Sequence, residues 1–441
     1  LFELPEKISH QEGDSHSSPP DLRKLSVAGW YLCLIGFSIL FLWPFLTSGT
    51  ERTKWEFRKL PLGLAVFQEG WDNLLIWPSI GFPAFVEPTS TFDVWVLCRW
   101  KPLSWKVYVD NIQLMILETS ENAGIWKINV QLPENMIEGL HNLSVEVDNV
   151  KIGEKKGRNS VVILSMPSVP RIAAISDTHL DEENWRITTF EITPSPLVSS
   201  QKLQRLPGPL KSLLESLSEK GIGRIKNGVR VGKPEHAQKL FQVLCYIREN
   251  IRPHLVLITG DLVEYSSWSS WEKLYEVLTS SRLPVCLVAG NHDYYSRLFG
   301  IQGRKWLAPF YRDFNSFDVY GFQLGKYYLL GINSGKDWKP LDSTRGSGLE
   351  KEQICWLHRL ENQKNLILFL HHPSHENQPG LYRGWWEVLP PESVTLVICG
   401  HTHPWVPVES MVHGVKQIEV PSLRDSEDFA RAVFVLPAEN N

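Results

Sequence analysis

Residues 255–261 read Leu255-Val256-Leu257-Ile258-Thr259-Gly260-Asp261. A short apolar run without polar alternation is the pattern of a strand buried on both faces. The Gly-Asp that closes it puts a carboxylate at the carboxyl end of that strand, where open α/β sheets set their binding sites. Alone, Asp261 reads equally well as the N-cap of a following helix. The same arrangement recurs four times. Arg171–Ser176 leads into Asp177-Thr178-His179, and Val285–Ala289 into Gly290-Asn291-His292-Asp293. Leu366–Leu370 leads into His371-His372-Pro373, and Thr395–Cys399 into Gly400-His401-Thr402-His403. Each motif alone is weak, but five in order behind strands are specific. Oxygen and imidazole donors converging from strand ends make a cage for two divalent cations, and the sequence reads as a binuclear metal hydrolase.

The bulk properties narrow the setting. With 441 residues the chain is too long for one ordinary core, so two domains with extra segments are expected. A formal net charge of -4 gives no general basic surface, and nucleic acid is not indicated as a partner. Six cysteines in this length are no disulfide framework, and none stands in a CxxC spacing that would suggest a thiolate zinc site. The eighteen tryptophans read mainly as packing.

Organisation follows from composition and period. Residues 1–26 are a polar tail. Residues 27–47 carry no charge and span about 31 Å as a helix, enough to cross a bilayer, so the expected membrane contact is a transmembrane helix there. The apolar stretch is longer than the core of a cleaved signal peptide and lacks the polar stripe of a surface helix. Residues 48–82 read as a juxtamembrane linker, its apolar stretch broken by Pro78 and Pro83. Over 83–166 the period becomes two, as in Phe92-Asp93-Val94-Trp95-Val96 and Leu143-Ser144-Val145-Glu146-Val147, which predicts a small all-β sandwich. From 167 to 438 strands alternate with helical patterns, and helices are expected over Ala237–Arg248, Ser270–Thr279 and Leu349–Leu360. Residues 181–234, about fifty more than a usual loop, read as a plain surface insertion rather than a lid.

The five motifs resemble those of the calcineurin-like metallophosphoesterase superfamily, over roughly 167–438, and the nearest likeness is its cyclic-nucleotide phosphodiesterase-like branch. A weaker likeness is the segment with Gly348, Leu349, Gln353, Trp356 and Leu357. The β stretch before it resembles the immunoglobulin-like modules that accompany some phosphoesterases, though Cys98 lacks a bridging partner there. The resemblance implies a four-layer α/β/β/α domain and a phosphoester substrate, and the whole chain then reads as that domain preceded by the all-β sandwich and one transmembrane helix. It implies that one metal is held by Asp177, His179 and His403 and the other by Asn291, His371 and His401, with Asp261 bridging. His371 is chosen over His372 because it stands two residues before the proline; His372 then becomes a supporting or substrate contact. The cofactors are two divalent ions, with manganese, iron, zinc, cobalt or nickel all compatible with the donors.

The chemistry agrees. A carboxylate can bridge two cations, and neutral imidazoles complete their shells without repelling phosphate. Two cations lower the pKa of a shared water to give a hydroxide nucleophile and clamp the attacking and leaving oxygens. His292 is the natural general acid, with Asp293 expected to orient it.

Departures narrow the choice. Purple acid phosphatases carry a tyrosine ligand three residues after the bridging aspartate, where this chain has Glu264. The protein Ser/Thr phosphatases carry an arginine soon after Gly-Asp and a Gly-Asn-His-Glu, where this chain has Val263-Glu264-Tyr265 and Asp293. The expectation is therefore a phosphodiesterase, with a nuclease of the same superfamily or a non-catalytic membrane-tethered binding protein as alternatives. An extracytoplasmic catalytic domain is expected because such β modules are commoner outside the cell. Arg52, Lys54, Arg58 and Lys59, which follow the span, argue the other way by the positive-inside rule. The Asn142-Leu143-Ser144 sequon decides neither.

Overall fold

The computed structural model describes residues 54–180, 236–295, 303–335, 348–374, 384–426 and 432–436. The polar tail, the expected span at 27–47 and the insertion at 181–234 lie outside them. Among the described residues no helix is long and apolar enough to cross a membrane.

The motif-bearing runs are strands, and their neighbours make two sheets. The smaller contains β3 (Ile172–Ile175), β4 (Leu255–Thr259), β5 (Val285–Val288) and β12 (Phe434–Leu436), in the order β5-β4-β3-β12. The larger contains β1 (Trp55–Leu60), β2 (Gly63–Gln68), β6 (Phe317–Leu324), β7 (Tyr327–Ile332), β8 (Leu366–Leu370), β9 (Val394–Cys399), β10 (Val408–Val412) and β11 (Val415–Glu419). Its order is β1-β2-β6-β7-β8-β9-β11-β10. The pairs β3–β4, β4–β5, β7–β8, β8–β9 and β9–β11 are parallel, so the motifs that follow β3, β4, β5, β8 and β9 emerge at strand carboxyl ends.

Alternate residues of these strands enter different cores. Ala173, Ile175, Val256, Ile258, Val285 and Leu287 bury against α1 (His236–Tyr246), α2 (Trp268–Ser281) and α3 (Ala308–Asp313). Ile172, Ala174, Leu255, Leu257, Cys286 and Val288 share the intersheet core with Tyr320, Leu329, Ile367, Phe369 and Ile398. Leu330, Ile332, Leu368 and Leu370 pack on α4 (Lys351–Leu357) through Trp356 and Leu357. The resulting order is helices, sheet, sheet, helix. Because both faces of β3, β4, β5 and β8 are covered, these runs lack polar alternation, as their sequence implied.

The N-terminal β region has the expected period. In Thr91–Cys98, Phe92, Val94 and Val96 are buried while Asp93 and Trp95 are half-buried. Its antiparallel sheet of Asn73–Trp77, Thr91–Cys98, Ile125–Gln131 and Met115–Asn122 shares one core with a second of Val150–Ile152, Leu143–Val147, Trp105–Val109 and Ile112–Gln113. A three-stranded sheet of Gly139–His141, Val161–Ile163 and Ala84–Val86 completes it. Cys98 is a free, buried thiol.

The linker expected over 48–82 is corrected by these strands. β1 and β2 form a hairpin, and β2 pairs with β6 through Gly63↔Tyr320, Leu64↔Val319 and Ala65↔Phe317. Leu64-Ala65-Val66-Phe67 is almost fully buried on both faces, which is why it lacks the alternation of a half-exposed strand. Asn73–Trp77 also joins the β region, pairing with Thr91–Cys98, so that region begins ahead of residue 83.

The β region and the catalytic sheets are continuous in packing. Lys156 is buried, and its ammonium donates to the Tyr311 carbonyl at 2.7 Å and to the Ser316 hydroxyl. Burial pushes its pKa well below the usual lysine range. Leu287 N–H donates to the Gly81 carbonyl at 2.9 Å, and Phe82 lies 4.4 Å from the Tyr320 ring. The intersheet core accordingly runs into the core of the β region.

Candidate metal centre

The turns after the strands bend backwards. Asp177, His179, Asp261, His401 and His403, five of the seven expected ligands, have φ of 54°, 44°, 47°, 76° and 53°. Left-handed backbone at non-glycine residues costs on the order of 1–3 kcal/mol each and gathers at functional sites. Main-chain bonds between the turns hold it, with His179 N–H donating to the Asp261 carbonyl at 2.9 Å and Leu180 N–H to the Leu262 carbonyl at 3.1 Å. The motif glycines allow the turns to touch. A Cβ at Gly290 would overlap Asp261, and one at Gly400 would overlap the Ser176 hydroxyl and the Asp177 carboxylate.

All seven expected ligands meet, in two groups. In the first, His403 Nε2 is 3.1 Å from Asp177 Oδ1 and 3.3 Å from His179 Nε2, which in turn is 3.5 Å from Asp261 Oδ2. In the second, Asn291 Oδ1 is 2.9 Å from His371 Nε2 and 3.1 Å from His401 Nδ1, and His371 Nε2 is 3.3 Å from Asp261 Oδ1. Asp261 thus gives one oxygen to each group. The donor separations match the edges of a coordination shell, about 3.0–3.4 Å for ligands near 2.1 Å from an ion. Asp177 Oδ1 is buried and accepts no hydrogen bond, as expected of an atom whose partner is a cation. The donor set fits two divalent ions.

The paired histidines separate in role. His371 Nδ1–H donates to the Thr259 carbonyl at 2.9 Å, which turns Nε2 into the site. His372 packs beside it, its Nδ1 2.8 Å from Ser334 Oγ and its ring 4.6 Å from that of His401.

Electrostatics favour positive charge in the cage. Burial opposes the charge on Asp177 and Asp261, yet the surrounding histidines hold both carboxyls well below the usual range. Burial likewise opposes protonation of His179 and His371, yet the carboxylates push them up to about 10 and about 9. The field that raises these imidazoles is one that draws cations.

One expected role is corrected. Asp293 does not orient His292: its carboxylate accepts from Gly290 N–H at 2.8 Å, Val263 N–H at 2.9 Å and Leu262 N–H at 3.2 Å. It ties the turn after β5 to the turn after β4, and burial, then the charge of Asp261, pushes its carboxyl up to about 7. His292 instead donates from Nδ1 to the Glu264 carbonyl at 3.1 Å, with its ring 4.6 Å from that of His179.

Two further carboxylates, outside the expected site residues, stand behind the site's histidines. Glu264 Oε2 is 2.8 Å from His179 Nδ1, and Asp425 Oδ2 is 2.6 Å from His403 Nδ1. Glu264 carries a faint signal, three residues after Asp261. Asp425 lies beyond the last motif and carries none.

Residues 170–405 match the family described as calcineurin-like phosphoesterase. A probable cyclic nucleotide phosphodiesterase of Synechococcus sp. is 33% identical over 162 residues, 34% of this chain and 58% of that protein. A probable cyclic nucleotide phosphodiesterase of Moraxella catarrhalis is 26% identical over 195 residues, 40% of this chain and 67% of that protein. A probable glycerophosphodiester phosphodiesterase of Arcobacter nitrofigilis is 25% identical over 171 residues, 34% of this chain and 57% of that protein. The Synechococcus and Arcobacter relatives are thus spanned over less than two thirds of their own length. The family match runs from β3 through the last of the ligand motifs, the same motifs whose donors divide around Asp261, and the chain belongs to the calcineurin-like phosphoesterase family.

Proposed function

We propose that this protein is a metal-dependent phosphodiesterase with a binuclear centre. The observation that carries the reading is the division of Asp261, one carboxylate oxygen to each group of donors. Asp177, His179 and His403 would hold one ion and Asn291, His371 and His401 the other. When bound, two such ions supply an activated water at neutral pH and stabilise charge on the phosphoryl oxygens. The only two carboxylates among the ligands leave the loaded centre net positive, which suits an anionic ester. His292, held at Nδ1 by the Glu264 carbonyl, presents Nε2 as the proton donor to the leaving oxygen. A diester is favoured by the likeness to relatives named for phosphodiester substrates, and by the absence of the arginine that protein phosphatases carry after Gly-Asp. The test is the full chain assayed with Mn²⁺, Fe²⁺, Zn²⁺, Co²⁺ or Ni²⁺ against bis(p-nitrophenyl) phosphate, cyclic nucleotides, glycerophosphodiesters and p-nitrophenyl phosphate. Diester turnover lost to a chelator and restored by an ion is the expected result. Two bound ions with no turnover would leave a binding protein, and cleavage of DNA in preference to small diesters would favour a nuclease.

We also infer that residues 27–47 tether the enzyme with its catalytic domain outside the cytoplasm, and that the β region is an immunoglobulin-like module. The uncharged 27–47 supports the first, and the two antiparallel sheets with a common core support the second. Protease added to intact cells is expected to remove the catalytic domain. Complete protection of that domain would place it inside.

A further inference from the structure

The segment after β11, outside all five motifs, converges on one half of the centre. We propose that Arg424 and Asp425, acting with Glu264, are positioning residues that set the occupancy of the first half-site, Asp177–His179–His403, and leave the second half-site to hold its ion independently. The proposal rests on the binuclear reading above.

Three contacts carry it. Asp425 Oδ2 accepts from His403 Nδ1–H at 2.6 Å. Arg424 Nη1 donates to Glu264 Oε2 at 2.9 Å, and the same oxygen lies 2.8 Å from His179 Nδ1. Arg424 N–H donates to the Asp177 carbonyl at 3.1 Å, next to Leu423 N–H on the Ser176 carbonyl at 3.0 Å. The segment therefore touches the backbone of the first ligand, backs the second through Glu264 and backs the third directly. Lys239 of α1 pins it by donating to the Arg424 carbonyl at 3.0 Å.

The second half-site is supported differently. His371 is fixed by a neutral carbonyl, that of Thr259. An anionic partner on the far ring nitrogen fixes the tautomer and makes the imidazole a stronger donor than a carbonyl does. Two of the three ligands unique to the first half-site have such a partner. The two half-sites are therefore backed differently where their partners are seen: carboxylates stand behind His179 and His403, a carbonyl behind His371.

The test is metal content rather than turnover. Asp425→Asn and Glu264→Gln in the full chain are dialysed and titrated with Mn²⁺, with bound metal counted per chain and the spin coupling of the pair followed by electron paramagnetic resonance. Wild type is expected to hold two ions with a coupled signal. Each variant is expected to bind one ion as wild type does and the other about 10–100-fold more weakly, with a single-ion signal in place of the coupled one. Glu264→Asp should recover part of the loss. Asp425 is half exposed, so its variant separates positioning from folding even if Glu264→Gln unfolds. Two ions at wild-type affinity in Asp425→Asn, or equal weakening of both, overturns the proposal. Failure of the wild type itself to bind two ions sinks the binuclear reading instead.

Discussion

Asp261→Asn is expected to reduce hydrolysis to background and to empty the first half-site before the second. The direction follows from which oxygen is already engaged. Asp261 Oδ1 accepts from His292 N–H at 2.8 Å, and an amide placed there must turn its carbonyl oxygen to that donor. Its NH₂ then occupies the Oδ2 position, 3.5 Å from His179 Nε2, and points hydrogens into the half-site of Asp177 and His403. Amide nitrogen donates and does not coordinate. The second half-site keeps a carbonyl oxygen beside His371 but loses the shared negative charge. Bound metal per chain should fall below one at ion concentrations that saturate the wild type. Turnover close to wild type with two ions bound would sink the bridging assignment.

His292→Ala is expected to keep both ions and to lose about 10²–10⁴-fold in rate, the usual contribution of a positioned acid. Metal should survive because the contact with Asp261 comes from the main-chain N–H of residue 292, which alanine retains. The ring itself meets Glu264: Nδ1–H on its carbonyl at 3.1 Å, and its carboxylate oxygen 3.6 Å away. With Nδ1 engaged by Glu264, Nε2 is the ring nitrogen left to serve the departing oxygen. Alkyl diesters, whose leaving groups need that proton, should slow far more than nitrophenyl diesters, which depart as stable anions. Equal slowing of both types, or loss of metal, would assign His292 a structural role.

The two sheets were legible because the strands leading into the motifs, Thr395 of β9 excepted, are buried on both faces and stop at their motifs. Leu255–Thr259 and Leu366–Leu370 have no polar residue facing solvent to confuse the pattern. The convergence of the seven expected ligands was legible for a related reason: a turn that must touch another turn needs glycine, and Gly290 and Gly400 mark two of them. β1 and β2 were not. Pro78 and Pro83 made the stretch read as linker, and the partner that buries Leu64–Phe67, Phe317–Leu324, is distant in sequence. The role of Asp293 is not legible from its adjacency to His292, because the tight turn over His292–Tyr294 sends its carboxylate back onto three main-chain donors. Asp425 and Glu264 meet their histidines only through folding, and no local pattern announces a carboxylate behind an imidazole.

The early hairpin that joins the larger sheet sets a problem for biosynthesis. β1 and β2 leave the ribosome roughly 250 residues before β6, and a chain grown at about 5–20 residues per second makes them wait roughly 12–50 s. During that interval Leu64, Val66 and Phe67, all sealed in the finished protein, have no partner strand to cover them. Contacts of such sequence separation also slow the search for the native state itself. A nascent chain of this protein should therefore lean on chaperones while β1 and β2 wait for β6, and its yield should respond more to elongation rate than to the stability of the finished enzyme.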